Sequence, residues 1–155
     1  MESINIRQAE TKDIQTIVQF NCAMARETEN KILDHGMASS GVLFMFDHPE
    51  YGFYCVAETG QHVVGQLMIT YEWSDWRNGV FWWIQSVYVD PAFRTLGVFK
   101  KLYAYISEKS RHVPNVCGLR LYVETNNDRA FQIYRHLGMS EAHYRMMEVD
   151  YVLST

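Results

Sequence analysis

Residues 85–102 decide the fold, and from Gln85 to Leu102 they read QSVYVDPAFRTLGVFKKL. Val87, Tyr88 and Val89 favour a β-strand. Pro91 ends that strand because proline cannot donate a hydrogen bond to a sheet ladder. From Val98 onward, apolar residues recur at helical spacing. The stretch therefore predicts a strand, a turn and the start of a helix.

The turn in this stretch has the features of an anion site. Gly97 stands at the predicted helix N-terminus, where the first backbone N–H groups lack intrahelical partners and the helix dipole is positive. A phosphate is favoured at such a place, and glycine lets the backbone approach it closely. Arg94 adds a permanent positive charge. On the motif alone, a glycine that only relaxes a strand-to-helix turn explains the pattern equally well.

Two linked motifs carry a family resemblance. The run from Val87 to Pro91, followed by Arg94-x-x-Gly97, resembles the acyl-CoA signature of the GNAT superfamily of N-acetyltransferases, whose loop reads Gln/Arg-x-x-Gly-x-Gly/Ala. Phe99 departs from that signature, since the family usually has a small residue there. The later motif Asn127-x-x-Ala130-x-x-x-Tyr134-x-x-x-Gly138-Met139 resembles the family's strand-and-helix segment. Two motifs in the right order are more specific than either alone.

Composition limits the classes of protein. The chain has 155 residues, of which 48% are hydrophobic and 21% charged. This length predicts one domain over residues 1–155. The net charge of −4 lacks the basic surface of a nucleic-acid binder. No run approaches the ~20 apolar residues of a membrane span, and no signal peptide is evident, so a cytoplasmic protein is expected.

Cysteines and histidines point to no special chemistry. The three cysteines are far apart and set among apolar neighbours, which predicts reduced, buried thiols. The six histidines show no close pair at ligand spacing, so no metal site is expected.

The chain reads as an α/β fold. A strand, a helix and another strand around Gly97 imply a parallel pair, while the preceding strands read as antiparallel neighbours. The resemblance implies the GNAT fold, in which helices flank a mixed, mostly antiparallel sheet with a parallel pair at the cofactor-binding strands. Strands are predicted at 3–7, 53–58, 63–73, 80–89, 119–124 and 146–153, and helices at 11–26, 40–46, 97–111 and 127–137. Thr11 is the expected N-cap of the first helix.

The resemblance implies acetyl-CoA as cofactor and assigns residues to it. The amides of Val87 and Val89 pair with the pantetheine arm and the carbonyl oxygen, and the turn from Arg94 to Lys100 cradles the pyrophosphate. The full set of predicted cofactor-binding residues is Val87, Tyr88, Val89, Arg94, Thr95, Leu96, Gly97, Val98, Phe99, Lys100, Asn127, Ala130 and Tyr134. Tyr134 would also protonate the leaving thiolate. From helical spacing alone, the favoured role of Tyr134 is a core aromatic on the helix face with Ala130 and Leu137, and the family resemblance reverses that preference.

The general base is open at this stage. Many relatives carry a glutamate on the fourth strand, where this chain has Gln85, a catalytic candidate whose side chain is not basic at neutral pH. A chain of water molecules is the expected substitute. Glu124 and Tyr88 are the other candidates.

An aromatic run beside the same strand suggests a substrate wall. Alternation places Trp82 and Trp83 on opposite sheet faces, so one belongs to the core, and Trp83 is the candidate for the substrate cleft. Aromatic faces attract cationic amines, and Glu27 adds negative potential. Simple hydrophobic packing beside a solvated acidic loop explains these residues as well.

The sequence thus predicts an N-acetyltransferase that moves an acetyl group from acetyl-CoA to a primary amine by direct attack in a ternary complex. The acceptor is a small molecule or a peptide. The alternatives are a non-catalytic acyl-CoA-binding or sensing module and a structural domain in which Gly97 and Asn127 serve only turns and caps. A homodimer is expected from the aromatic content and from the habit of the family.

Overall fold

A computed structural model describes residues 2–153. The chain divides into two compact units, one up to Tyr122 and one from Val123 onward. Within the first unit, the strands are β1 (Ile4–Gln8), β2 (Gly52–Thr59), β3 (His62–Ser74), β4 (Gly79–Val89) and β5 (Val116–Leu121). The helices of that unit are α1 (Ile14–Glu29), α2 (His35–Asp47) and α3 (Val98–Arg111), with short 3-10 turns at Thr11–Asp13 and Pro91–Phe93. The second unit contains α4 (Asp128–His136).

The five strands form one mixed sheet in the order β1-β2-β3-β4-β5. The first four strands pair antiparallel, and β4 pairs parallel with β5. The parallel pair follows from α3, because a helical crossover returns the chain to the same end of the sheet. The predicted mixed sheet with its parallel pair is confirmed.

The sheet separates two apolar cores. On one face, Leu102 and Ile106 of α3 pack against Leu67, Ile69 and Trp82. These helical residues are four positions apart, so they lie on one side of α3. On the other face, α1 and α2 cover the sheet, and the buried residues there are Ile17, Val18, Val42, Tyr54 and Val56. The two faces thus place α3 and the α1–α2 pair on opposite sides of β4.

A partly buried ion cluster fixes the start of α1. The Arg7 Nη1 and Nη2 atoms donate to the Asp13 carboxylate at 2.8 and 3.0 Å, and Arg7 Nε donates to Glu58 at 3.2 Å. Asp13 also accepts a hydrogen bond from the Glu10 amide at 2.7 Å. Burial, the largest influence, raises the pKa of Asp13, but the hydrogen bonds from Arg7 and Glu10 outweigh it and lower the pKa overall. The prediction of Thr11 as N-cap is wrong, because Thr11 is the first residue of a 3-10 turn whose N-cap is Glu10, and the residue that precedes α1 is Asp13.

Two predicted strands differ from the structure. The predicted strand at 119–124 lies earlier, because the parallel ladder joins Val80 to Val116 and ends where Ile84 meets Leu121. The prediction of a strand at 146–153 is wrong, since the structure describes no strand there and leaves Met147 94% exposed. Alternating apolar residues form a strand only where a neighbouring edge accepts their backbone hydrogen bonds.

The cysteines are free thiols in different surroundings. Cys55 is buried and Cys22 is half-buried, whereas Cys117 is exposed. The prediction that all three are buried is therefore wrong for Cys117. It lies in β5, where alternation turns its side chain away from the core that Val116 joins.

Candidate active site

A β-bulge interrupts the pairing of β4 with β3. Between the pairs Met68–Gln85 and Gln66–Tyr88, β4 has one more residue than β3. Ser86 lies in this bulge with a φ of 52°, in the left-handed region. Such a bulge shifts the alternation of all later residues in the strand by one position.

Beyond the bulge, β4 presents its amides on a free edge. The Asp90 amide donates to the Val64 carbonyl of β3 at 2.9 Å. Because successive amides of an extended strand point to opposite edges, the amides of Val89 and Val87 point away from β3, toward the side of β5. The described ladder with β5 ends at Ile84. Val87 and Val89 therefore offer two N–H groups past the end of the ladder, at the positions that the family resemblance assigns to a pantetheine arm.

The same strand leads into the turn that precedes α3. Gly97 caps α3 with a φ of 74°, and a Cβ added there would meet no atom within 4 Å. Glycine is thus favoured at position 97 for its backbone conformation, and the space beside it is open. Gly65 lets the helix approach the sheet, since a Cβ on it would lie 2.8 Å from Val98. An exposed helix N-terminus with open space fits the pyrophosphate of a CoA cofactor.

Two residues assigned to different ligands are partners of each other. The Arg94 guanidinium donates to Glu27 Oε2 at 2.6 Å and to the Val89 carbonyl at 2.9 Å. The other Glu27 oxygen accepts a hydrogen bond from the Tyr88 hydroxyl at 2.8 Å. The hydrogen bond from Arg94, and next in size the hydrogen bond from Tyr88, lower the pKa of Glu27. This triad, Glu27, Tyr88 and Arg94, ties the end of α1 to the start of the turn.

The triad also bears on the general base. Burial and, next, the hydrogen bond to Glu27 raise the pKa of Tyr88. The Tyr88 phenol therefore keeps its proton at neutral pH, which argues against it as the base.

The α1–α2 face of β4 carries the other candidates. Gln85 stands opposite Met68, which packs in the α1–α2 core, so the two side chains share that face. Trp83, two residues earlier, shares it too. Gln85 Nε2 donates to the Thr70 hydroxyl, and the Trp83 ring lies 4.4 Å from that of Tyr122 between centroids. This face therefore combines a neutral amide with an aromatic wall.

The neighbouring tryptophan confirms the predicted alternation. Trp82 is 4% exposed and packs edge-on against Phe53 in the core beneath α3. Trp82 and Trp83 thus lie on opposite faces of the sheet, and Trp83 is the half-buried one.

The departure from the signature at Phe99 is accommodated on α3. The Phe99 ring lies 6.3 Å from the Tyr103 ring, one helical turn further on, and both side chains are half-buried. The pair packs at ordinary i, i+4 spacing. A large residue at this position thus leaves the backbone of the turn in the conformation that Gly97 sets.

In the second unit, α4 carries three predicted residues. Asn127 caps the helix, its Oδ1 accepting from the Ala130 amide at 3.1 Å. Tyr134 is half-buried on α4, and burial raises its pKa. Because Asn127 and Tyr134 are seven residues apart, about two helical turns, they lie on one side of the helix. Because burial raises its pKa, the Tyr134 phenol stays protonated at neutral pH, as a proton donor requires.

Gln66, a polar residue near the bulge, is one that the sequence analysis did not identify. Gln66 is 0% exposed, and its Nε2 donates to the Ser86 carbonyl at 3.0 Å and to Asn21 Oδ1 at 2.8 Å. Its signal was a lone glutamine in the apolar run from Val63 to Ile69. A polar side chain in such a run predicts a specific buried hydrogen bond.

Two kinds of feature are absent from residues 2–153. None of the helices there combines the length and the apolarity that a membrane crossing requires. Nor does this part of the chain bring three or more His, Cys, Asp or Glu side chains together in a way that would hold a metal ion.

Comparison with known proteins identifies the architecture. The model of the Acetyltransferase (GNAT) family matches residues 16–139. A possible acetyltransferase from Clostridium difficile 630 has 44% sequence identity and a TM-score of 0.89, with 97% of this chain and 99% of that chain covered. No curated protein matches the sequence significantly.

More distant solved structures share the fold. Glucosamine-6-phosphate N-acetyltransferase from Arabidopsis thaliana is 18% identical, with a TM-score of 0.73 over 96% of this chain and 99% of that one. A predicted acetyltransferase with acetyl-CoA from Clostridium acetobutylicum is 15% identical, with a TM-score of 0.76 over 96% of each chain. At such identities the likeness concerns the fold alone.

Proposed function

This chain belongs to the acetyltransferase (GNAT) family, and we propose that it transfers an acetyl group from acetyl-CoA to a primary amine by direct attack in a ternary complex. The observation that carries the proposal is the course of β4. Its ladder with β5 ends at Ile84, the amides of Val87 and Val89 then point to the free edge, and the strand leads to the N-terminus of α3.

The backbone of this region fits the cofactor. The amides of Val87 and Val89 would hold the pantetheine arm, and the turn ending at Gly97 would hold the pyrophosphate at the N-terminus of α3. Acetyl-CoA supplies an activated thioester. The open space beside Gly97 supports this arrangement, since a side chain there would project toward the phosphates.

Side chains of this protein would bind the amine, orient the reacting groups and hold the proton for the leaving thiolate. Trp83 provides an aromatic wall on the α1–α2 face, which suits the aliphatic and cationic parts of an amine. Gln85 is neutral and engaged with Thr70, so it orients groups rather than taking a proton. Tyr134 holds a proton at its hydroxyl oxygen at neutral pH because burial raises its pKa. The acceptor amine would lose its proton to water.

One observation favours a second function. Gln85 stands where an acidic base is common in the family, and its amide is already hydrogen-bonded to Thr70. A protein that binds acyl-CoA without turnover would need no base at this position. The alternative is therefore a non-catalytic acyl-CoA-binding or sensing module.

Thiol release from acetyl-CoA across a panel of small amines and peptides tests the proposal. We expect at least one amine to raise the rate of thiol release well above the rate without amine, and initial rates to give intersecting lines when both substrates are varied. Calorimetric binding of acetyl-CoA with no amine-dependent release would support the binding module. Absence of binding would contradict both functions.

A further inference from the structure

Ser86 holds an unusual backbone conformation in the bulge of β4. Its φ of 52° lies in the left-handed region, which disfavours residues that carry a Cβ. Among the described residues, the other non-glycine residues with positive φ are Asn30 and Asn78, a residue type that tolerates this conformation. A serine at such a position persists only when its surroundings hold it there.

Gln66 supports this conformation of Ser86 through a hydrogen bond. Its Nε2 donates to the Ser86 carbonyl at 3.0 Å, and the same nitrogen donates to Asn21 Oδ1 of α1 at 2.8 Å. A backbone carbonyl only accepts hydrogen bonds, so the atom facing Ser86 must be the amide nitrogen. Asn21 fixes the rotamer of Gln66 from the helix side. The two hydrogen bonds thus connect α1, β3 and the bulge of β4.

Stability alone does not explain a glutamine at this position. The side chain of Gln66 is 0% exposed, and its Oε1 has no hydrogen-bond partner among the described residues. A buried polar atom without a partner destabilises the fold, and an apolar side chain of similar shape would avoid that cost. The glutamine therefore has a task that an apolar side chain could not perform.

The geometry points to Gln66 as a positioning residue that holds the Ser86 bulge and thereby directs the amides of Val87 and Val89 to the free edge of β4. Without the extra residue in the bulge, the alternation would turn those two amides toward β3. The inference rests on the proposed function, because the ligand of these amides is taken to be acetyl-CoA.

A rescue experiment tests this role. Gln66→Met removes both donated hydrogen bonds and keeps the shape of the side chain. Ser86→Gly removes the conformational penalty, because glycine adopts positive φ without support. Leu67→Met is the matched control, a change of similar volume at a 0% exposed position next to Gln66. Calorimetry measures acetyl-CoA affinity for the parent, the three single variants and the Gln66→Met/Ser86→Gly double variant.

We expect Gln66→Met to weaken acetyl-CoA binding about tenfold, equivalent to about 1.4 kcal/mol. Ser86→Gly and Leu67→Met should stay within about threefold of the parent, and the double variant should return to that range. Recovery of acetyl-CoA affinity in the double variant distinguishes a positioning role of Gln66 from a general loss of structure, because Ser86→Gly would not repair a general loss of structure. If Gln66→Met does not fold, Asn21→Ala replaces it, with a weakening of about fivefold, outside the range of the controls, that Ser86→Gly again reverses.

Unchanged affinity in a folded Gln66→Met variant, or failure of Ser86→Gly to restore a lost affinity, would overturn the inference and leave the proposed function standing. Failure of the parent protein to bind acetyl-CoA would instead contradict the proposed function, and the role of Gln66 with it.

Discussion

The pair Gly97→Asp and Gly97→Asn isolates the charge at the predicted pyrophosphate site. Both side chains are nearly identical in shape, and both residue types tolerate the left-handed region that Gly97 occupies with a φ of 74°. An added Cβ meets no atom within 4 Å, so neither substitution clashes with the protein. The difference between the two variants is therefore the negative charge of aspartate.

The magnitude follows from the distance between that charge and the phosphates. If a carboxylate at position 97 and a phosphate at the N-terminus of α3 are taken to be about 8 Å apart, two unit charges repel by about 2 kcal/mol at an effective dielectric constant of about 20. This energy corresponds to roughly 30-fold weaker binding. We expect Gly97→Asp to bind acetyl-CoA roughly 30-fold more weakly than Gly97→Asn at low ionic strength, with a smaller ratio at high salt.

Calorimetric titration with acetyl-CoA measures both variants, and circular dichroism checks that both are folded. Arg94→Ala provides a comparison. Because the Arg94 side chain is already paired with Glu27, its removal should cost at most about 1 kcal/mol, or about fivefold in affinity. Equal affinities of the aspartate and asparagine variants would refute the reasoning and move the pyrophosphate away from this turn.

Three further predictions follow from other parts of the chain. Tyr134→Phe should lower turnover by roughly 10²-fold at saturating acetyl-CoA while leaving acetyl-CoA affinity unchanged. The control Tyr105→Phe should leave turnover unchanged. A loss of only a fewfold in the Tyr134→Phe variant would show that another donor protonates the thiolate. Asp13→Asn should destabilise the fold by about 2 kcal/mol at pH 7 in urea unfolding, and the exposed control Lys12→Gln by less than about 0.5 kcal/mol. Since the folded pKa of Asp13 lies below its ordinary value of 3.8, its contribution is present above that pH and is lost as the pH falls through the folded pKa, so a gap that stays constant down to pH 2 would contradict this origin. Light scattering should show a homodimer, and a monomer at all micromolar concentrations would exclude one.

The sequence predicted the parts of the fold that local patterns determine. The strand formers from Val87 to Val89, the break at Pro91 and the glycine at 97 each act through their own backbone preferences, and the structure places β4, the turn and α3 accordingly. The alternation of Trp82 and Trp83 gave the two faces of the sheet for the same reason.

The features that the sequence did not predict depend on contacts between distant segments. The bulge at Ser86 needs Gln66, 20 residues away, and no local pattern places a serine at positive φ. The pairing of Glu27 with Arg94 spans 67 residues. The strand predicted at 146–153 had the right alternation, but alternation does not tell whether a neighbouring edge is available.

The central claim is that the acetyl group passes from acetyl-CoA to the nitrogen of an amine. Acetyl-CoA labelled with a heavy isotope in the acetyl group, incubated with the protein and the most active amine of the panel, tests it by mass spectrometry. We predict that the label appears in an N-acetylated product in an amount equal to the CoA thiol released. Label that remains on CoA, or that appears only as free acetate, would contradict the claim.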